Sequence, residues 1–134
     1  MAKLARVLDS WPLLAYFQNQ PAASQVTEIF KEASKDGRDL LISSVNWGEI
    51  LYVMDRQYGP AKRDHAENLM EQMRLEVMPV DKQIAREAAH FKMTYKLGYA
   101  DCFAAALTFL RDAELVTGDR DFRVLKDHIR ILWL

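Results

Sequence analysis

The sequence has few of the features that mark secreted, membrane or strongly charged proteins. It contains one cysteine, Cys102, so an intrachain disulfide is excluded and a reducing cytoplasm is the expected compartment. No apolar run approaches the ~20 residues of a membrane span. Charges interrupt the first residues too early for a secretory signal. No repeat, low-complexity tract or linker divides the chain, and we expect a single domain over residues 1–134.

A large excess of one charge is also missing. Eighteen Lys and Arg residues stand against nineteen Asp and Glu residues, which gives a formal net charge of −1 at pH 7. Nucleic-acid-binding domains are usually clearly basic, so contact with RNA or DNA would here require a local patch or a bound cation. The three histidines are scattered and form no zinc-binding pattern.

Short apolar runs separated by helical patterns are what the sequence does contain. Five runs predict strands, at residues 4–8, 40–42, 75–80, 115–117 and 129–132. These runs do not alternate between apolar and polar residues, which is typical of a parallel sheet buried on both faces. Helical spacing between them predicts an α/β sandwich, with helices from residue 12, over 22–34, after 44, over 61–74, from 81, over 100–110 and over 122–125.

Four carboxylates stand at the ends of these elements. Asp9 follows the first predicted strand, Asp119 follows the fourth, and Glu49 and Asp101 lie in the first turns of helices. Functional groups of an open parallel sheet gather at the carboxyl ends of its strands. Two carboxylates 4 Å apart repel each other by about 4 kcal/mol at an effective dielectric of 20, so such a cluster requires raised pKa values or a divalent cation. Oxygen ligands favour Mg²⁺ or Mn²⁺ over zinc.

Each of these acids also has an ordinary structural interpretation. Asp9 could cap the helix that follows it, and Glu49 could complete a capping box begun by Asn46. Asp101 could complement the dipole of its helix. Asp119 could belong to a tight turn. The sequence leaves these alternatives open, although all four positions fall at the same predicted edge of one sheet.

At these residues the sequence resembles the PIN-domain family and, within it, the VapC-type toxins of prokaryotic toxin–antitoxin pairs. Four segments carry the resemblance in the family's order, VLDSW from residue 7, SSVNWGE from residue 43, YADCFAAAL from residue 99 and VTGDRDF from residue 116. The resemblance extends over nearly the whole chain. Pro12 and Cys102 stand where many relatives have alanine, and neither position supplies a metal ligand.

The resemblance implies a three-layer sandwich with a central five-stranded parallel sheet flanked by helices. It implies a metal site for Mg²⁺, with Mn²⁺ as the alternative, formed by Asp9, Glu49, Asp101 and Asp119 with support from Thr117 and Asp121. The implied activity is metal-dependent hydrolysis of RNA phosphodiester bonds. The implied partners are the RNA substrate, a second copy of the chain in a homodimer, and a VapB-type antitoxin whose tail fills the acidic groove.

Two further groups of residues suggest contacts. Arg120 and Arg123 lie close to Asp119 and are candidates for contacts with RNA phosphates, the alternative being solvated surface charges. A groove between helices could take an amphipathic helix of a partner, although core packing explains the same aromatic residues, Tyr16, Phe17, Phe30, Tyr52 and Tyr58.

Two other functions compete with the ribonuclease. The first is a non-catalytic PIN-like module that binds RNA or protein, and the presence of all four acids argues against it. The second is a phosphoryl-transfer domain on a similar sheet. That chemistry would require a second carboxylate two residues after Asp9, where Trp11 stands instead.

Overall fold

A five-stranded, entirely parallel β-sheet lies at the centre of the computed structural model, which describes residues 3–134. Its strands are β1 (Arg6–Leu8), β2 (Leu40–Ser43), β3 (Leu75–Met78), β4 (Glu114–Thr117) and β5 (Arg130–Trp133). Their order across the sheet is β3-β2-β1-β4-β5. The α/β class and the five-stranded parallel sheet predicted from the sequence are confirmed.

Helices connect the strands, as parallel pairing requires. They are α1 (Ser10–Phe17), α2 (Ala23–Asp36), α3 (Ser44–Tyr58), α4 (Pro60–Gln72), α5 (Lys82–Thr94), α6 (Tyr99–Leu110) and a 3₁₀ helix (Arg120–Leu125). The helix predicted near Pro12 begins at Ser10 and has Pro12 in its first turn, where a proline lacking its N–H is tolerated. Gly59, with φ of +88°, makes the turn between α3 and α4.

Neighbouring residues of the central strands face opposite helical layers. Val7 and Leu115 belong to the core shared with α5, α6 and the 3₁₀ helix. Leu8 and Val116, the next residues along the same strands, belong to the core shared with α1 to α4. Because successive side chains of a strand point to opposite faces, one apolar dipeptide serves both cores. The result is the predicted three-layer sandwich.

The edge strand β3 differs from its prediction. It ends at Met78 rather than Val80, and Glu76 and Val77 are exposed. Pro79 follows the strand and has no N–H to donate to a ladder. The other edge strand, β5, also has no fully buried residue. The expectation of burial on both faces is therefore wrong for the two edge strands and right for β1, β2 and β4.

The order of the strands fixes where a site can form. From β1 the sheet grows through β2 and β3 on one side and through β4 and β5 on the other. The topological switch point therefore lies between β1 and β4, and the crevice beyond their carboxyl ends is the expected ligand site of such a sheet. In the part of the chain that the structure describes, no helix is long and apolar enough to cross a membrane.

Candidate active site

The four acids selected from the sequence line one cleft at this switch point. Asp9 follows β1, Asp119 lies two residues beyond β4, Glu49 is in the second turn of α3, and Asp101 is in the first turn of α6. The cleft has a volume of about 720 Å³. The juxtaposition predicted from the sequence is therefore present in the structure.

Asp9 is the most deeply buried of the four, with 1% of its surface exposed. Its Oδ2 accepts a hydrogen bond of 2.9 Å from Thr117 Oγ1, while its Oδ1 is buried and has no partner among residues 3–134. Asp9 occupies the N-cap position of α1, but its side chain makes no capping hydrogen bond. The interpretation of Asp9 as a simple helix cap is therefore wrong.

Burial raises the pKa of Asp9 well above its ordinary value. The hydrogen bond from Thr117 opposes this shift, and the nearby charges of Asp101 and Asp119 add to it. The amide of Trp11 lies near the carboxylate and lowers the pKa slightly, without the geometry of a capping hydrogen bond. Among the described residues, no positive side chain forms an ion pair with Asp9.

The start of α3 is capped by a residue other than the one proposed. Ser43 is the N-cap, and its Oγ accepts a hydrogen bond of 3.1 Å from the amide of Asn46. Asn46 therefore stands three residues inside the helix, and the capping box that would pair it with Glu49 does not exist. Glu49 instead lines the cleft, and its buried Oε1 has no hydrogen-bond partner.

Asn46 connects the two helices that carry Glu49 and Asp101. Its Oδ1 accepts a hydrogen bond of 2.6 Å from Ser43 Oγ, and its Nδ2 donates one of 3.1 Å to the carbonyl of Ala100. Both Ser43 and Asn46 are fully buried. This link holds the first turn of α6 against the first turn of α3, and with it the two carboxylates.

Asp101 has its pKa raised to about 6. Burial is the largest cause, followed by repulsion from Asp119, Glu49 and Asp121. Its position in the first turn of α6 agrees with the helix-dipole interpretation. At this position burial and the neighbouring acids still raise the pKa of Asp101 above its ordinary value.

Asp119 has a capping role in addition to its place in the cleft. Its Oδ1 accepts a hydrogen bond of 3.0 Å from the amide of Asp121 at the start of the 3₁₀ helix. Its own amide donates one of 3.0 Å to Thr117 Oγ1. The turn interpretation of Asp119 is therefore correct for one oxygen. Thr117 connects Asp119 to Asp9, and Asp121 itself is exposed.

The two arginines point to local partners rather than to the cleft lining. Arg120 donates to the carbonyl of Leu134 at 3.2 Å, and its guanidinium lies 4.8 Å from the ring centre of Trp133. Arg123 Nε donates to the carbonyl of Arg120 at 3.2 Å. Both side chains are exposed, so contact with RNA phosphates stays a prediction for these residues.

The donor set fits a hard divalent cation held in an open site. All the ligand atoms are carboxylate oxygens, two of them are buried without a partner, and the ion pairs among residues 3–134 leave these four acids out. No three His, Cys, Asp or Glu side chains of these residues converge closely enough to enclose an ion by themselves. Mg²⁺ usually takes one or two carboxylates and keeps several waters, so a closed cage is not required.

The structure adds lining residues that sequence reasoning did not assign to the site. The indole of Trp11 packs on Gly118, where an added Cβ would lie 2.3–2.5 Å from three ring carbons. Trp11 and three glutamines, Gln18, Gln20 and Gln25, line the same cleft as the acids. The spacing of Trp11 and Gln18 on one face of α1 is visible in the sequence. The contact between residues 11 and 118 is not.

The aromatic residues proposed for a partner groove divide into two groups. Tyr16, Phe17 and Phe30 are half-buried between helices, and Phe17 and Phe30 pack against the core. Tyr52 and Tyr58 on α3 are 59% and 49% exposed. Core packing therefore accounts for part of the set, and a groove lined by Tyr16, Phe17, Met54 and Leu69, among others, remains open between the helices.

The chain matches a known protein family. A family model described as PIN domain matches residues 6–127. Comparison with curated protein sequences finds no match.

Solved structures of similar fold come from bacterial toxin–antitoxin systems. The chain is similar to VapBC2 from Rickettsia felis bound to a promoter DNA fragment, with TM-score 0.82, 13% identity and coverage of 98% of this chain and 99% of that one. It is similar to DNA-bound VapBC from Salmonella typhimurium, with TM-score 0.80, 24% identity and coverage of 97% and 98%. It is also similar to VapC20 from Mycobacterium tuberculosis, described as a Sarcin-Ricin loop cleaving toxin, with TM-score 0.74, 12% identity and coverage of 90% and 94%.

Proposed function

The chain belongs to the PIN domain family, and from this membership we propose that it is a Mg²⁺- or Mn²⁺-dependent endoribonuclease acting as the toxin of a type II toxin–antitoxin pair. One observation carries the proposal. Four carboxylates meet in one cleft at the switch point of the sheet, two of them with raised pKa values, and no positive side chain among residues 3–134 pairs with them. A divalent cation would compensate this charge.

The four acids would have different roles in holding the cation and positioning the reactants. Thr117 fixes one oxygen of Asp9 and leaves the other free for a ligand. Asp101 and Glu49 stand on helices joined through Asn46. Asp119 offers its second oxygen, since the first caps the 3₁₀ helix. Asp121, exposed beside them, adds negative charge at the rim.

When bound, the cation supplies Lewis-acid stabilisation of the phosphodiester and a hydroxide nucleophile at neutral pH. The residues contribute by preorganisation. Hydrogen bonds fix one oxygen of Asp9 and one of Asp119 before any substrate arrives, and the Asn46 link fixes the helices that carry Glu49 and Asp101, so little reorganisation is required when the RNA phosphate binds. The burial that raises the pKa of Asp9 also strengthens electrostatic interactions inside the cleft.

The proposed partners follow from the same family membership. The solved relatives from Rickettsia felis and Salmonella typhimurium are VapBC complexes, and we propose a VapB-type antitoxin for this chain. The open groove beside Tyr16 and Phe17 fits an amphipathic helix by its mixed apolar and polar lining. We further propose a homodimer, with RNA as substrate and the cytoplasm as compartment.

Cleavage of end-labelled total RNA by the purified, antitoxin-free protein tests the proposed activity. We expect discrete cleavage with Mg²⁺, none with EDTA, and a loss of at least about 100-fold for Asp9→Asn and Asp101→Asn, because removal of one electrostatic contact typically costs this much. Asp127→Asn is the matched control, since Asp127 is an exposed acid outside the cleft.

Melting temperatures with and without Mg²⁺ separate the nuclease from the non-catalytic alternative. An ion that binds the folded state stabilises it by about 2.7 kcal/mol at 100 times its Kd. Equal cleavage by wild type and both cleft variants would contradict the proposed nuclease. A Mg²⁺-dependent rise in melting temperature that persists alongside that result would favour a module that binds RNA or protein without cutting.

A further inference from the structure

One face of α1 lines the acidic cleft with residues that have no place in metal binding. Trp11, Leu14 and Ala15 of α1 and its C-cap residue Gln18 follow the i, i+3, i+4, i+7 spacing of a helix face, and all four line the cleft. Gln20, Pro21 and Gln25 extend the lining into α2. The cleft therefore joins an anionic wall to a wall of indole, aliphatic and amide groups.

The indole of Trp11 is held in a defined place. Its six-membered ring lies so close to Gly118 that a methyl group there would overlap three ring carbons. Gly118 precedes Asp119, and Trp11 follows Asp9 by two residues. The ring thus sits between the segments that present two of the acids. Trp11 is only partly buried, belongs to neither hydrophobic core among the described residues, and lines the cleft.

An aromatic face beside a phosphate site is suited to a nucleobase. Every base has a π-face that stacks on an aromatic side chain, and amide groups bind base edges. Gln18 is itself oriented, since its Nε2 donates a hydrogen bond of 2.9 Å to Gln57 Oε1. A base inside a duplex is covered by its neighbours on both faces, so only an unpaired base can stack on this ring.

We propose that Trp11 is the stacking platform for one unpaired nucleobase adjacent to the scissile phosphate, and that it thereby determines which RNA positions are cut. This inference rests on the proposed ribonuclease function and names the form of its substrate. Trp11 is a specificity-determining residue in this scheme. It takes no part in the bond-breaking step, so its loss affects substrate binding rather than turnover.

The test uses a short single-stranded RNA that contains one cleavage site, together with two altered copies. One copy lacks the base at a single position beside the cut, and the other carries the fluorescent base 2-aminopurine there. Each position flanking the cut is tried in turn. Cleavage is measured as kcat and KM for wild type, Trp11→Leu, Trp11→Phe and Gly118→Ala. Quenching of 2-aminopurine, which reports stacking, is measured with Asp101→Asn, alone and combined with Trp11→Leu.

At one flanking position we expect Trp11→Leu to raise KM about 5- to 150-fold, the range of base–aromatic stacking, with kcat changed little. The abasic RNA should raise the KM of wild type by a similar factor and should not raise the KM of Trp11→Leu any further. Trp11→Phe should recover most of the affinity. Gly118→Ala should weaken binding, because its methyl group displaces the ring. Phe109→Leu, an exposed aromatic at the far end of α6, is the control and should match wild type.

Two results would overturn the inference. One is a Trp11→Leu protein, folded by its melting curve, with the KM and the abasic penalty of wild type. The other is the absence of Trp11-dependent quenching at every position. These results can occur while metal-dependent cleavage persists. In that case the proposed nuclease activity would be supported and base stacking on Trp11 would be contradicted. Conversely, quenching that depends on Trp11 in a protein whose cleavage survives Asp101→Asn would support base stacking and contradict the proposed catalytic site.

Discussion

At the residue scale, Asp9 and Asp101 are carboxyl groups at positions where the fold gives a negative charge too little compensation. Asp9 has one hydrogen-bonded oxygen and one buried oxygen without a partner. Asp101 has its pKa raised to about 6 by burial and by neighbouring acids. Ionisation of these two side chains therefore destabilises the metal-free protein.

Removal of the Asp101 charge should stabilise the metal-free protein in a pH-dependent way. Its carboxyl binds a proton more tightly in the folded state than in the unfolded state, where the pKa is ordinary. The contribution of this group to the free energy of unfolding is therefore fully present below about pH 4, and it is lost as the pH rises to about 6. In EDTA, Asp101→Asn should raise the free energy of unfolding by about 1 kcal/mol at pH 7.5, a value that is reduced because the side chain is partly exposed. At pH 4.5 the increase should be much smaller.

Thermal unfolding at the two pH values measures this difference. For a domain of this size 1 kcal/mol corresponds to roughly 3–5 °C in melting temperature. Asp127→Asn, at an exposed position, should show no such pH-dependent gain. A gain for Asp101→Asn that is as large at pH 4.5 as at pH 7.5 would mean that charge is not the cause.

At the element scale, the site depends on how α3 and α6 are fixed to each other. Glu49 and Asp101 lie on different helices, and the buried side chain of Asn46 joins the N-cap of α3 to the carbonyl of Ala100 in α6. Ser43 adds the cap that fixes where α3 begins. The relative position of these two carboxylates is thus set by one buried amide.

Asn46→Ala should therefore destabilise the protein and weaken cleavage together. Loss of two buried side-chain hydrogen bonds, with unpaired groups left behind, costs about 2–3 kcal/mol. Urea unfolding measures the loss, and Asn68→Ala on the exposed face of α4 is the matched control, expected within about 0.5 kcal/mol of wild type. Similar unfolding curves for the two variants would show that the amide link contributes nothing to stability.

At the scale of the whole molecule, the strand order decides where function can lie. The switch point between β1 and β4 brings together residues from both ends of the chain, as in the hydrogen bond between Thr117 and Asp9. The near-zero net charge conceals this local concentration of acids. Apolar side chains such as Met93, 87% exposed, and Tyr99, 57% exposed, lie on α5 and α6, away from the cleft lining.

The proposed homodimer is the prediction that belongs to this scale. Light scattering on the antitoxin-free protein should give about twice the chain mass of 15.5 kDa, independently of Mg²⁺. Since exposed apolar side chains are typical of association surfaces, Met93→Lys should shift the mass toward the monomer, whereas Lys96→Ala nearby should not. A monomeric mass for wild type at micromolar concentration would contradict the homodimer.

The sequence by itself determined the layers of the fold and the four acids of the cleft. Short apolar runs that end in Asp9 and in Thr117-Gly118-Asp119 were sufficient, because the side-chain period of a strand and the meeting of parallel strand ends at one edge are local or topological rules. Helix starts were less certain. Capping depends on side-chain geometry that residue types alone do not fix, which is why the sequence left the capping alternatives for Asp9 and Asn46 open. The structure places Asp9 at an N-cap position without a side-chain cap and makes Ser43, not Asn46, the cap of α3.

Only the tertiary structure decided the environment of each acid. Contacts between segments far apart in the chain produce the unpartnered oxygen of Asp9, the raised pKa of Asp101 and the packing of Trp11 against Gly118. Thr117 and Asp9 are separated by 108 residues. Burial, charge repulsion and close packing are properties of neighbours in space, and no spacing along the sequence specifies them.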